Sequence, residues 1–186
     1  MENQEAQPQP ASLINHAVKH GVILGVVSIL LVVIVYVVDL AFLATLKFLG
    51  IMLVLGLGYV VYAGINYRNE IGGYLSYGKA FMHGFILLAV SGLIGTAFNI
   101  LLYHVVDPEL PTKLTEAIIR NTEEMMAGFG APQGTIDQTV DGLRVEMPGN
   151  FSIGGLLYGY VKAMIWYCII ALITSLFVRK NEPIEL

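Results

Sequence analysis

Four long apolar segments, at residues 17–38, 46–66, 79–104 and 153–178, constrain this chain more than anything else in it. The first contains eighteen successive residues without a charge, Gly21 to Val38 (GVILGVVSILLVVIVYVV). A backbone crossing the bilayer core finds no water, so it must satisfy its own N–H and C=O groups. About 20 apolar residues of α-helix do this. The abundance of Val and Ile does not argue for strands, because lipid suits β-branched helices. The run is longer than the roughly 7–15 apolar residues of a signal peptide. Asp39 follows it with no small-x-small cleavage site, so an uncleaved span is expected. The polar residues 1–12 (MENQEAQPQPAS) predict a disordered tail, and 181–186 a second short tail. The fold class expected is therefore all-α: an integral membrane four-helix bundle, residues 13–180 forming one domain.

Composition agrees. Charged residues make up 13% of the chain, against roughly 25% in soluble domains. Lys and Arg are scattered rather than gathered into a stripe, so no nucleic-acid partner is expected. Cys168 is the only cysteine, which excludes an intramolecular disulfide, a cysteine-based metal site and a CxxC redox pair. The sequence contains no GxxxxGK[ST], HExxH or GxSxG, and no GxGxxG placed after a strand. Neither an enzyme nor a cofactor is predicted.

The basic residues orient the bundle. Lys19, Arg68, Lys79, Arg179 and Lys180 fall near span ends on one side; Lys47, Lys113, Arg120 and Arg144 fall on the other. Both termini are then cytoplasmic, and the 107–152 stretch between spans three and four is extracytoplasmic. This insert has eight acidic and three basic residues, a net of −5. Asp107-Pro108 can open a helix, with Asp as N-cap and Pro at the first position. From Thr112 to Phe129 the apolar residues Leu114, Ala117, Ile118, Met125, Met126 and Phe129 gather largely on one helical face, with Glu116 and Arg120 paired on the other. Gly128 or Gly130 can close that helix. Thr135-Ile-Asp-Gln138 has capping-box form and predicts a second helix of about nine residues, ended before the breaker Pro148-Gly149-Asn150. Such a segment could cap the bundle, lie in the membrane interface, or cover a partner.

One stretch carries a family pattern. Tyr67-Arg68, the turn at Gly72-Gly73, the run Ser76-Tyr77-Gly78-Lys79-Ala80-Phe81 and Asp107-Pro108 resemble a domain-of-unknown-function family of small four-span inner-membrane proteins from Bacteroidetes-type bacteria. The acidic insert and the basic C-terminal end are also similar to that family. The resemblance implies the topology and the bacterial inner membrane, and no catalytic residues.

Polar groups within spans are costly, so each needs a partner or a function. His83, one turn beyond Lys79, is a proton-relay or ligand candidate; the simpler reading is an interface histidine among the headgroups. Asn99, His104 and Asp107 lie toward the outer end of the same span. His104 and Asp107 are spaced i,i+3 and could titrate together or bind a metal, but two ligands are too few for a metal site, and a local hydrogen-bonded cap is the simpler reading. Lys162 is the sharpest anomaly, about 13 Å into span four by helical rise. It either pairs with an acidic group such as Asp39 or Asp107, or snorkels to the outer headgroups. The last span, at about 39 Å, exceeds the ~30 Å core and favours snorkelling. Gly21-x-x-x-Gly25, Gly155-x-x-x-Gly159 and the Ser91/Gly95 pair predict close helix contacts. Tyrosines around the second inner loop, including Tyr59, Tyr62 and Tyr67, predict an interfacial belt. The function expected is a scaffold or partner-binding role through the insert, with the bilayer and a membrane or periplasmic protein as partners. A small homo-oligomeric transporter or channel subunit is the alternative.

Overall fold

The computed structural model describes residues 12–182; most of both expected tails, residues 1–11 and 183–186, lies outside the described residues. The elements are α1 (Leu13–Val38), α2 (Leu40–Leu43), α3 (Leu46–Glu70), α4 (Tyr77–Leu101), a π-helical turn (Leu102–Val106), α5 (Leu110–Gly128), α6 (Gln133–Phe151) and α7 (Ile153–Val178). Four helices are long and apolar enough to cross a membrane: α1, α3, α4 with its π turn, and α7. The fold is an all-helical, four-span bundle, with a single isolated bridge between Leu75 and Lys180 among the described residues.

Small side chains decide which spans touch. α1 buries His16, Ala17, His20, Gly21, Leu24 and Gly25, one narrow face at i, i+1, i+4, i+5 spacing. A Cβ on Gly21 would lie 2.7 Å from the Leu87 carbonyl oxygen, and one on Gly25 would lie 3.1 Å from Ile94 Cβ. Glycine at both positions is what brings α1 onto α4. On the other side of α4, Gly92 lies beneath the Tyr167 ring of α7, and Gly64 of α3 lies beneath Val178. Tyr160 of α7 donates to the Ala89 carbonyl of α4 at 3.0 Å. The expected pair Gly155/Gly159 is not a helix contact: nothing approaches Gly159 within 4 Å, and Gly155 meets only the adjacent Gly149–Asn150 backbone. The first half of α7 turns one face outward, exposing Leu157, Tyr158, Val161 and Ile165, while Tyr160 on its other face holds it to α4.

The core is Leu24, Val60, Ala63, Leu87 and Leu88, flanked by Tyr59, Tyr167 and Ile170. A second cluster, Tyr67, Leu75, Ala80 and Val178 with Leu13 beside it, gathers the start of α1 and the end of α7 at one end. There Gly72 and Gly73 take φ of 100° and 89°, a region open to glycine at little cost. The turn delivers Leu75 to Lys180, with which it exchanges backbone hydrogen bonds of 2.8 and 2.9 Å. Arg68 donates to the Val178 carbonyl at 2.9 Å. This basic end of the bundle is laced together by backbone and side chain.

The insert caps the opposite end. α5 and α6 pack as a hairpin around Ile119, Ile136 and Val140, joined through Gly130 at φ 74°. Leu110 and Leu114 join Leu102 in a cluster with Tyr36, Leu40 and Phe98 that seats α5 on the spans. Asn121 donates to the Ala44 carbonyl at 3.2 Å. Several local expectations need correction. Asp107-Pro108 does not begin the helix: the π turn carries the chain through Asp107, whose N–H bonds to the Leu102 carbonyl at 2.8 Å, and α5 begins at Leu110. The second helix spans 19 residues, not nine; Thr135 is inside it, and Pro148 does not break it. Pro148 lies in its final turn, where little of the helix beyond it can be lost. Ser152 forms the joint to α7, donating to the Gly149 carbonyl at 2.7 Å and accepting from the Gly155 N–H at 3.0 Å.

Candidate functional site

The basic end of the bundle holds a polar cluster that three helices assemble. His16 and His20 stand one turn apart on α1, His83 projects from α4, and α3 contributes Tyr59, Asn66, Tyr67 and Glu70. His16 Nδ1 lies 2.9 Å from His83 Nε2. A hydrogen bond between two imidazoles needs one nitrogen as donor and the other bare, so the tautomers of the two rings are locked to each other. The other nitrogen of His16 faces Glu70 Oε1 at 3.7 Å and Asn66 Nδ2 at 3.5 Å. Asn66 in turn donates to Glu70 at 2.9 Å. His20 Nδ1 lies 2.9 Å from the Tyr59 hydroxyl. The rings stack as well: His16 on His20 with centroids 4.3 Å apart, and His83 on Tyr67 at 5.2 Å.

His83 is only 1% exposed, so it is not a headgroup histidine; it joins α1 to α4 inside the bundle. Glu70 is the most accessible member, with a 45% exposed side chain. Along Glu70, His16 and His83, only the His16–His83 part is directly hydrogen-bonded; Glu70, at 3.7 Å, faces His16 from the surface without reaching it. The His16–His83 pair can share one proton between its two facing nitrogens. Among the described residues, no group of three His, Cys, Asp or Glu side chains is placed to hold a metal ion. The stacked rings of His16 and His20 turn faces, not lone pairs, toward each other.

The remaining candidates do not converge on this cluster. Asn99 lines a cleft of about 440 Å³ between α1, α3, α4 and α7, together with Ser28, Ser91, Thr96 and Tyr167. Lys162 is exposed, its Nζ 4.7 Å from the centroid of Tyr158 one turn earlier on α7. Neither proposed acidic partner reaches it. Asp39 caps α2, accepting from the Ala41 and Phe42 N–H groups, and Asp107 accepts from the Tyr36 hydroxyl at 3.0 Å. His104 is exposed on the π turn; its i,i+3 pairing with Asp107 does not form. Asp107 instead fastens the insert, through Tyr36 of α1 and through Lys113 at 3.8 Å. Lys113 also meets Glu109 at 3.2 Å, a hydrogen bond that holds its pKa above the ordinary lysine value, with Asp107 adding to the effect.

Residues 19–180 match the family model described as Protein of unknown function (DUF4199). The chain belongs to this family. The match takes in His20, Tyr59, Glu70 and His83, and begins three residues after His16. No curated protein and no solved structure matches the chain.

The free face of the insert is the other candidate. Phe129, at the tip of the hairpin, is 85% exposed, and Val145 is 81% exposed. Val145 lies about 18 Å along α6 from its start, and exposed carboxylates, among them Glu124, Asp137, Asp141 and Glu146, are spread along the same hairpin. The Glu116–Arg120 pair expected on this face is not among the ion pairs; Arg144 and Asp141 approach at 3.9 Å instead.

Proposed function

We propose that this DUF4199 protein is a non-enzymatic protein of the bacterial inner membrane, with both termini cytoplasmic and the insert in the periplasm, and that it acts by docking a protein partner on the insert. One observation supports this most: the insert spends one set of apolar residues on its own hairpin core and on the bundle end, yet leaves Phe129 exposed at the hairpin tip of a segment whose net charge is −5 over residues 107–152. An aromatic anchor on a charged segment is the composition of an interaction surface, and the acidic charge favours a basic partner. The bundle then serves as a rigid mount. The test is a photo-crosslinking amino acid in place of Phe129 in living cells. A discrete protein adduct is expected. Adducts with lipid alone would mean that the tip dips into the membrane interface, and the docking reading would fail.

A second reading, a small oligomeric transporter or channel subunit, has an observation of its own in favour. The histidine cluster and the polar cleft share the α1–α4 interface, separated by the turn that holds Leu24, Leu87 and Leu88. A four-helix chain can hardly enclose a path alone, so this reading needs several copies. Cross-linking in native membranes that gave only monomers would remove it.

A further inference from the structure

The cleft between α3 and the α1–α4 pair follows from how α3 is held. Its buried residues, Val60, Ala63, Gly64 and Tyr67, all lie in its second half. The first half buries nothing, and a Cβ on Gly50, Gly56 or Gly58 would meet no atom within 4 Å. α3 is therefore anchored at the basic end and diverges toward the insert end. The space so opened is about 440 Å³, within the roughly 300–1,000 Å³ typical of ligand sites.

The lining has a distinct chemistry. One wall is apolar, formed by Leu49, Met52, Leu53 and Leu57 of α3. The facing wall carries Ser28 of α1 with Ser91, Thr96 and Asn99 of α4. Thr96 gives its hydrogen to the Gly92 carbonyl at 2.9 Å, so its oxygen is left to accept. The Asn99 amide, half-buried at the outer end of the cleft, makes no hydrogen bond among the described residues. No charged side chain lines the cleft. By helical rise, Leu88 lies about 17 Å and Asn99 about 33 Å along α4 from its start. The polar groups of α4 thus run from mid-span to the outer end, and the floor is formed by Leu24 and Leu88 with Tyr167 and Ile170 of α7 packed against them.

We propose that this cleft is a binding site for a neutral, lipid-soluble molecule with one apolar chain and a hydroxyl or carbonyl head, seated with the head at Asn99 and the chain running down toward Leu24 and Leu88. Charge complementarity selects the class. An anionic head would meet no cation, whereas an uncharged head meets an amide that can both donate and accept. The chain takes the apolar wall of α3, and entry is from the bilayer. This inference rests on the cleft alone and does not depend on the docking role of the insert.

The test uses the full-length protein in nanodiscs with a diazirine-bearing long-chain fatty alcohol and the matching alkyl phosphate. The alcohol should label peptides of α3 and α4 saturably, and unlabelled alcohol should compete; the phosphate should label far less. Asn99→Leu should weaken apparent affinity about fivefold, the loss of one hydrogen bond. Gly95→Leu should abolish labelling, because it fills space that is open in the cleft, while Phe129→Ala should change nothing. Both cleft variants are checked for helicity and monodispersity; should Gly95→Leu misfold, Asn99→Leu decides. Equal labelling by alcohol and phosphate, or indifference to Asn99→Leu, would overturn the proposal. So would a disulfide between copies at Ser91→Cys, in a Cys168→Ser background, that the alcohol fails to suppress, since a second copy would then fill the cleft.

Discussion

His83 shows how much of this protein turns on single side chains. Its ring is shared between a hydrogen bond to His16 and a stack on Tyr67, so removing it strands a buried nitrogen on α1. Leaving one buried polar group unpaired costs about 1–3 kcal/mol. His83→Leu should therefore destabilise the bundle by that amount, and His16→Leu similarly. The double variant should cost less than their sum, with a coupling of about 0.5–1.7 kcal/mol, the range seen for hydrogen bonds between membrane helices. Thermal denaturation in detergent reads all three, and strict additivity would contradict the pairing. Lys162 is the contrasting case. It touches the Tyr158 ring and no buried group, so Lys162→Ala should shift stability by no more than about 1 kcal/mol; loss of the folded protein would contradict this. The sequence made Lys162 conspicuous because a charge inside an apolar run is visible without coordinates. It left His16 unmarked because that residue precedes the expected span of residues 17–38, and His20, at the fourth position of that span, stands before the uncharged run that begins at Gly21. The one available signal was their i,i+4 spacing immediately before Gly21 and Gly25, which puts two histidines on the face that glycine opens.

Among the elements, the spans were readable because bilayer physics leaves a helix no alternative, whereas the insert was readable only in part. Of the face expected on Leu114, Ala117, Ile118, Met125, Met126 and Phe129, Leu114 and Ala117 are buried, whereas Met125 and Phe129 are exposed and Ile119, outside that face, packs on α6. The extension of α6 through Pro148 was not visible in the sequence, because tertiary contacts with α5 and the Ser152 joint hold a turn that local propensity would end. The same distinction between pattern and packing governs the glycines. Gly21 and Gly95 look alike in sequence, each belonging to a small-residue repeat. Gly21 is pressed against Leu87 and Val90, and Gly95 faces open space. Gly21→Leu should therefore cost at least about 1–3 kcal/mol by overpacking, and Gly95→Leu should leave the denaturation midpoint close to that of the parent. Equal effects at the two positions would mean that α1 and α4 do not meet as described.

At the scale of the whole molecule, the two ends differ in chemistry. One gathers Lys19, Arg68, Lys79, Arg179 and Lys180 around the histidine cluster; the other carries an insert with a net charge of −5 over residues 107–152. The proposed orientation rests on those Lys and Arg residues and not on the acidic charge of the insert, and a partner can reach Phe129 from the periplasm only if the orientation is as proposed. Labelling with a membrane-impermeant maleimide tests this directly, in a Cys168→Ser background, with Glu124→Cys on the insert and Asn181→Cys beyond α7. Glu124→Cys should react in intact spheroplasts and Asn181→Cys only after lysis. Reaction at Asn181→Cys first, with Glu124→Cys protected until lysis, would contradict the orientation and the docking surface with it.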